Sequence, residues 1–304
     1  MTPGNDGTTE APLQGLRVGV PATSANLGVG YDCLGMALDL VATFSFERAG
    51  EVAITGCEER FRGTDNLVWT TMLTTYAALA ADPVPAHIDI DSPIPLSGGL
   101  GSSATCVVAG VMAAMELCGS GYDRIRALDI ATQIEGHPDN VAPAVLGGLV
   151  SSFVDDGDVC STRYDVAPEL RFVAIAPPYE VRTDDARRVV PTTVDTSTAV
   201  WQMGRCVATV HALETGDAAL LGHACADRLH EPYRARLIPD YDVLRTTALE
   251  AGASAFFISG SGSTCIAACD GDTEATSVSQ AFAACRPGFW CATLHAANEG
   301  ARIL

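Results

Sequence analysis

The chain has 304 residues and a formal charge of −19, and all 18 of its cationic side chains are arginine; there is no lysine. That excludes a Walker A loop, the strand lysine of a protein kinase and any lysine Schiff-base enzyme. The acidity argues against nucleic acid and anionic membrane surfaces as partners. A cationic contact to a substrate must therefore come from arginine, histidine, a metal ion or backbone N–H groups. The 11 cysteines show no paired CxxC spacing, so they read as free thiols of a reducing compartment, not as a disulfide framework or zinc site.

Residues 1–14 are polar and rich in Gly, Pro and Thr, with no basic or apolar region of a signal peptide; they read as a disordered tail. No apolar stretch is long enough to cross a bilayer, so a soluble, cytoplasmic protein is expected. Leu16–Val20 reads as a strand, and Ala42–Glu47 with Glu51–Thr55 as a hairpin pair. Residues 66–81 have helical periodicity, with Leu67, Met72, Leu73, Tyr76 and Leu79 recurring at three or four. Ala86–Asp91 alternates as a strand, followed by helices over Ser103–Leu117 and Arg124–Glu135 and a strand over Val145–Phe153. In the second half, Arg171–Ala176 is a strand ended by two prolines. Helices follow over Ala199–Glu214, Ala218–Arg228 and Tyr241–Ala251. Strands Ala255–Ser259 and Cys265–Cys269 flank a glycine-rich turn, and a helix over Thr273–Cys285 precedes a closing strand, Phe289–Ala296. This order predicts an α+β protein divided near residue 165, into 15–165 and 166–304.

The strongest local signal is the run Pro95 to Ala104, PLSGGLGSSA, between a strand and a helix. Gly98, Gly99 and Gly101 permit positive φ and close approach of a ligand to the backbone. Ser102 and Ser103 open the helix, where free N–H groups and the dipole favour an anion, and a hydroxyl there can ligate a divalent ion. Taken alone, the run is equally a flexible turn with a serine N-cap.

The string GLGSSA after a proline resembles the phosphate loop of the GHMP kinases. Four more motifs, in the family's order along nearly the whole chain, narrow the resemblance to the homoserine kinases. They are VPATSANLGVGYDCLG from Val20 to Gly35, EGHPDNVAP from Glu135 to Pro143 followed by Leu146-Gly147-Gly148, EPYR from Glu231 to Arg234 with Leu237-Ile238-Pro239, and SGSGST from Ser259 to Thr264. The resemblance implies a two-domain GHMP-kinase fold: an N-terminal α+β domain carrying the phosphate-binding loop, and a C-terminal ferredoxin-like α/β sandwich. It implies transfer of the γ-phosphoryl of ATP to the hydroxyl of L-homoserine, with Mg²⁺, in threonine biosynthesis, and it allows a homodimer.

Carried over residue by residue, it places ATP on Asn66, Pro95, Ser97, Gly98, Gly99, Leu100, Gly101, Ser102, Ser103 and Ala104. It places Mg²⁺ on Ser103 and Glu135. The amino-acid substrate falls to Asn26, Asp32, His137, Asp139, Asn140, Thr183, Arg187, Arg234 and Gly260, with Ser103, Glu135 and Asn140 closest to the chemistry. The residue types suit those roles. Asp32 can pair an ammonium, and two planar guanidinium groups can clamp a carboxylate. Asn140 stands where relatives such as mevalonate kinase are thought to place an aspartate base. An amide cannot take a proton at neutral pH, so in-line transfer without a strong protein base is expected, Asp139 being the one nearby carboxylate that could contest this. Val29, Tyr31 and Ser263 depart from the family's usual Pro, Phe and Pro. They bear on substrate identity more than on the reaction and leave open a kinase for another hydroxylated amino acid; a non-catalytic ligand sensor is the second alternative.

Overall fold

The computed structural model describes residues 15–96 and 98–304. The expected tail over 1–14 and the expected ATP contact Ser97 lie outside these. The first layer is a seven-stranded sheet. Its spine runs β11 (Arg302–Ile303), β1 (Leu16–Ala25), β2 (Leu34–Arg48), β4 (Ala86–Asp91), β3 (Ala53–Thr55), with β5 (Leu149–Asp155) on β2 and β6 (Asp158–Tyr164) on β5. β1 and β2 form one long hairpin whose register shifts between Pro21 and Ala22 and whose tip is the loop after Ala25, paired with Gly35.

Four helices cover this sheet: α1 (Leu67–Ala78), α2 (Ser102–Leu117), α3 (Arg124–Glu135) and α4 (Pro138–Leu146). Twelve of the 16 residues of α2 are buried, which makes it the central helix, wrapped by α1, α3, α4 and the sheet.

The second sheet has the order β10 (Trp290–Leu294), β7 (Leu170–Ala176), β9 (Cys265–Asp270), β8 (Ala255–Ile258), antiparallel throughout. With α10 (Asp272–Cys285) between β9 and β10, this is the strand order of a ferredoxin-like sandwich. The period of two sorts its side chains into two cores. Phe172, Ala174, Phe257 and Ile266 belong to the core shared with the first layer, whereas Val173, Ile175, Phe256 and Ile258 pack with α10 and α9 (Tyr241–Glu250). Between β7 and β8 run α5 (Thr183–Arg188), α6 (Thr196–Thr215), α7 (Ala218–Ala224), α8 (Glu231–Arg234) and then α9.

Three expectations are corrected. Ala42–Glu47 and Glu51–Thr55 do not form a hairpin pair. β3 lies parallel to β4 on the far side from β2, because Ile88 and Ile90 make β4 an interior strand and leave three-residue β3 at the edge. The strand expected from Val145 begins at Leu149, since Val145 and Leu146 finish α4. Pro138 suits the first turn of that helix, where no N–H is needed. Pro143, inside it, leaves the Asp139 carbonyl without its usual donor, and Gly35 packs against that oxygen so closely that a Cβ would meet it at 1.7 Å. The helix expected over Ala218–Arg228 stops at Ala224, and the chain turns into α8.

The last residues return to the first layer. Ala297 donates to Ala37 O, Ala301 to Ala144 O, and Ile303 lies opposite Val18.

Candidate active site between two glycine loops

A cavity of about 530 Å³ opens where the two sheets meet. The β1–β2 hairpin tip forms one wall. Three non-glycine residues there, Asn26, Leu27 and Asp32, have left-handed φ of 70°, 47° and 57°, strain of the kind that persists only when its surroundings hold it. Asn26 does much of the holding: its Nδ2 donates to Gly260 O at 2.9 Å and its Oδ1 accepts the Asp32 N–H at 3.0 Å.

The phosphate-loop segment forms the floor. Gly101 is the N-cap of α2, at φ 67°, and no side chain among the described residues caps the helix. The serine N-cap considered from sequence is thus replaced by a glycine cap, which leaves the first N–H groups of α2 to the cavity. The loop interlocks with the glycine loop after β8. A Cβ on Gly99 would lie 2.5 Å from Ser259 O, and one on Gly98 2.6 Å from Gly262 O. Thr264 Oγ1 also donates to Gly98 O at 2.7 Å. Leu100 turns its side chain into the core, 1% exposed, and neither it nor Pro95 lines the cavity.

Ser103 Oγ reaches Glu135 Oε2 at 3.2 Å from the next helix. Burial raises the Glu135 carboxyl above its ordinary pKa, His137 and the Ser103 hydroxyl partly opposing it. Glu135 sits at the C-terminal end of α3, the unfavourable end for an anion. His137 Nδ1 bonds Asp139 Oδ1 at 2.5 Å, and this bond lifts the imidazole pKa although burial lowers it. Asn140 Oδ1 accepts from the buried Thr23 hydroxyl at 2.8 Å, which turns its Nδ2 donors away from that bond.

Two arginines come from the second half of the chain. Arg187 on α5 makes a two-pronged bridge to Asp32, at 2.9 and 3.1 Å. Arg234 on α8 is 3% exposed. It donates to Gly260 O and Ala186 O, lies over the Tyr31 ring at 4.9 Å, and makes no ion pair among the described residues. Thr183 and Gly260 complete this end. The other end is apolar, lined by Phe44, Phe61, Ile90, Ile94 and Leu96, and Asn66 faces it. The Asn66 amide is largely committed: its Oδ1 caps α1 through Val68 N–H at 2.9 Å and its Nδ2 holds Phe61 O at 2.7 Å.

The chain matches the GHMP kinases N terminal domain over residues 66–148 and the GHMP kinases C terminal domain over 209–287. It is 39% identical to the homoserine kinase of Moorella thermoacetica over 293 residues, 94% of this chain and 99% of that one. The chain belongs to the homoserine kinase family of GHMP kinases. Family likeness extends to the homoserine kinase of Clostridium botulinum (strain Langeland / NCTC 10281 / Type F), 38% identical over 82% of this chain and 84% of that one. The crystal structure of homoserine kinase from Cytophaga hutchinsonii ATCC 33406 superimposes with a TM-score of 0.86 at 30% identity, covering 97% and 99% of the two chains. GHMP kinases take their phosphoryl group from ATP.

Two residues of the site carry no role in the sequence reading. Thr23 stood inside a recognised motif, but only the fold shows that it reaches Asn140. Tyr31 registered as a departure from the family, and the fold makes it the platform under Arg234, stacked in turn on His230 at 5.1 Å. Among the described residues, no three His, Cys, Asp or Glu side chains gather as a metal cage, and no helix is long and apolar enough to cross a membrane. All 11 cysteines are free.

Proposed function

We propose that the protein transfers the γ-phosphoryl group of ATP to the side-chain hydroxyl of L-homoserine, giving O-phospho-L-homoserine on the way to threonine. The observation that carries this is the pairing, in one cavity, of a glycine-capped helix N-terminus with a buried guanidinium, Arg234, that has no carboxylate partner among the described residues. A buried charge is costly unless paired, and the α-carboxylate of an amino acid supplies the pair. Arg187 and Asp32 neutralise each other across the cavity. A zwitterion entering between them replaces one bridge with two, its carboxylate on the arginines and its ammonium on Asp32. Thr183, Asn26 and Gly260 shape this end, and the His137–Asp139 pair orients the substrate.

The triphosphate lies on the N–H groups of residues 98–104, with the base in the apolar end beside Asn66. Ser103 and Glu135 suit Mg²⁺: both offer hard oxygen ligands, and a buried carboxylate with a raised pKa gains most from a dication beside it. When bound, the ion supplies charge neutralisation for the phosphates.

The substrate hydroxyl attacks the γ-phosphorus in line, and the bond to ADP breaks with its electron pair going to the β-phosphate oxygen. The hydroxyl proton leaves late in a loose transition state, to an oxygen of the transferred phosphoryl group and from there to solvent. Asn140, its carbonyl held by Thr23, offers N–H donors and cannot be a base. Asp139 is spent on His137 and is 3% exposed. Positioning and charge stabilisation therefore carry the rate.

This reading includes two domains, 15–165 and 166–304, with the terminal strand returned to the first, and cytoplasmic residence, and it allows a homodimer. The test is ADP release with MgATP across L-homoserine, L-threonine and L-serine. Homoserine is expected to give the highest kcat/KM; a protein that binds MgATP but turns over no homoserine overturns the assignment. The retained Ser103–Glu135 pair argues against a non-catalytic sensor.

A further inference from the structure

A second cavity, of about 260 Å³, lies behind α8, away from the first. Its walls are the α7–α8 link, α8, α9 and the start of β8. Of the ionisable side chains that line it, beside Cys225, Asp227 and Tyr241, Glu231 and Arg245 face it without meeting. Glu231, on α8, is 6% exposed. Its Oε1 accepts the Ile258 N–H at 2.5 Å, while among the described residues Oε2 has no hydrogen-bond partner and is open to the cavity. Arg245, on α9, is exposed and makes no ion pair or hydrogen bond among the described residues. Its charge is nevertheless felt at Glu231, where it opposes the burial that pushes the carboxyl up to about 8.

The neighbouring carboxylate is not available. Asp227 accepts from Gln202 Nε2, His230 N–H and Glu231 N–H, and its side chain is shielded from solvent. Glu231 is thus the carboxyl left open and Arg245 the guanidinium facing it, with Pro232, Leu249 and Phe256 supplying apolar wall beside them.

We infer that this cavity is a second ligand site, for a small aliphatic α-amino acid, whose ammonium would sit on Glu231 and whose carboxylate would sit on Arg245. An ammonium arriving beside Glu231 favours its ionised form, so the carboxyl releases its proton to solvent. A carboxylate and a guanidinium that share a cavity but leave a gap are then complementary to a zwitterion, which carries both opposite charges a few bonds apart. The cavity has room for an amino acid with a side chain of valine's size. Unlike the first cavity, this one holds no glycine-capped helix start and no pair like Ser103–Glu135, so it has no place for a triphosphate. Its occupant would bear on the four-residue helix that also carries Arg234, and on the link whose Cys225 and His230 bond Leu27 O and Gly28 O of the hairpin tip.

The test is calorimetric titration of the full chain with L-valine, and with isobutylamine and isovalerate, which keep only the ammonium or only the carboxylate. L-valine is expected to bind, and to bind more tightly than either single-charge probe. Arg187→Ala, which damages the first cavity, should keep this binding. Arg245→Ala, an exposed change outside the catalytic machinery, should weaken it about tenfold or more with kinase turnover unchanged. Glu231→Gln should show the same loss, with its thermal melt checking the fold. Three results overturn the inference. They are no L-valine binding, L-valine binding lost in Arg187→Ala but kept in Arg245→Ala, and isobutylamine binding as tightly as L-valine. None of these depends on whether homoserine is the substrate of the first cavity.

Discussion

Thr23→Val isolates the orientation of Asn140. Thr23 is fully buried beneath the phosphate loop, and its hydroxyl donates to Asn140 Oδ1 at 2.8 Å. Valine keeps the shape and removes the donor. An amide oxygen that loses its buried partner costs about 1–3 kcal/mol. Asn140 is half-buried and faces the cavity, where water can compensate in part, so the lower half of that range applies, roughly 1–2 kcal/mol. Without Thr23, the two amide orientations come close in energy, and one of them turns an acceptor toward the phosphates. Restoring the donating orientation must then come from the reaction itself. At about 1.4 kcal/mol per factor of ten, kcat should fall roughly tenfold. The assay is ADP release at saturating MgATP and amino acid, beside a thermal melt of the same preparation. Thr23→Ser keeps the hydroxyl and should recover most of the rate. If Thr23→Val melts earlier but retains the wild-type kcat, Thr23 is a packing residue and the argument about the amide fails. A rise in KM for ATP alone would place its effect on the phosphate loop instead.

Ser103→Ala and Glu135→Gln should each reduce kcat about a hundredfold and raise the Mg²⁺ concentration needed for half-maximal rate; an unchanged Mg²⁺ titration would refute the assigned ligands. Asp32→Asn releases Arg187 from its bridge and removes the ammonium partner, so KM for the amino acid should rise about tenfold or more while KM for ATP holds; equal changes in both would place Asp32 elsewhere. His137 has a pKa raised above its ordinary 6.5 by the Asp139 bond. Its contribution to stability is therefore complete below about pH 6.5 and is lost as pH rises through the folded value. The stability gap between the wild type and His137→Gln should be widest on the acid side and shrink above that point, and a gap independent of pH in denaturant titrations would contradict it.

Long periodic elements were legible in the sequence. The apolar run of α2, the alternation of β4, and the strand–glycine loop–strand pattern around Ser259 each carry their own local signal. What was missed depended on tertiary choice. Which strands flank β4 is decided by burial of Ile88 and Ile90, which no local pattern reports. Helix α4 was hidden by two prolines, one harmless at its first turn and one made tolerable by Gly35 seated on the orphaned carbonyl. β6 did have a signal: Asp156-Gly157, with φ of 49° and 95°, is the two-residue turn that joins it to β5. At the site, motif residues from five segments line one cavity, but their mutual arrangement was not in the motifs. That Asp32 and Arg187 bind each other follows only from the distance between segments 155 residues apart in sequence, whereas the occupation of the Asn66 amide in capping α1 had a local signal, an Asn immediately before a helical run.

The return of the last strand to the first sheet has a consequence for how the chain folds. Val18 lies opposite Ile303, and Leu304 N–H bonds Arg17 O, so the two ends of the described chain are stitched side by side. Closing so long a loop adds little to the equilibrium cost, which grows only logarithmically with length, but it is slow, because the whole second layer must be traversed before the contact forms. The first sheet is thus begun by the earliest strands and finished by the latest. The edge of β1 and the Val145–Gly148 segment are sealed last, and a chain cut near residue 165 would leave both open as unpaired backbone ready to associate with a neighbour.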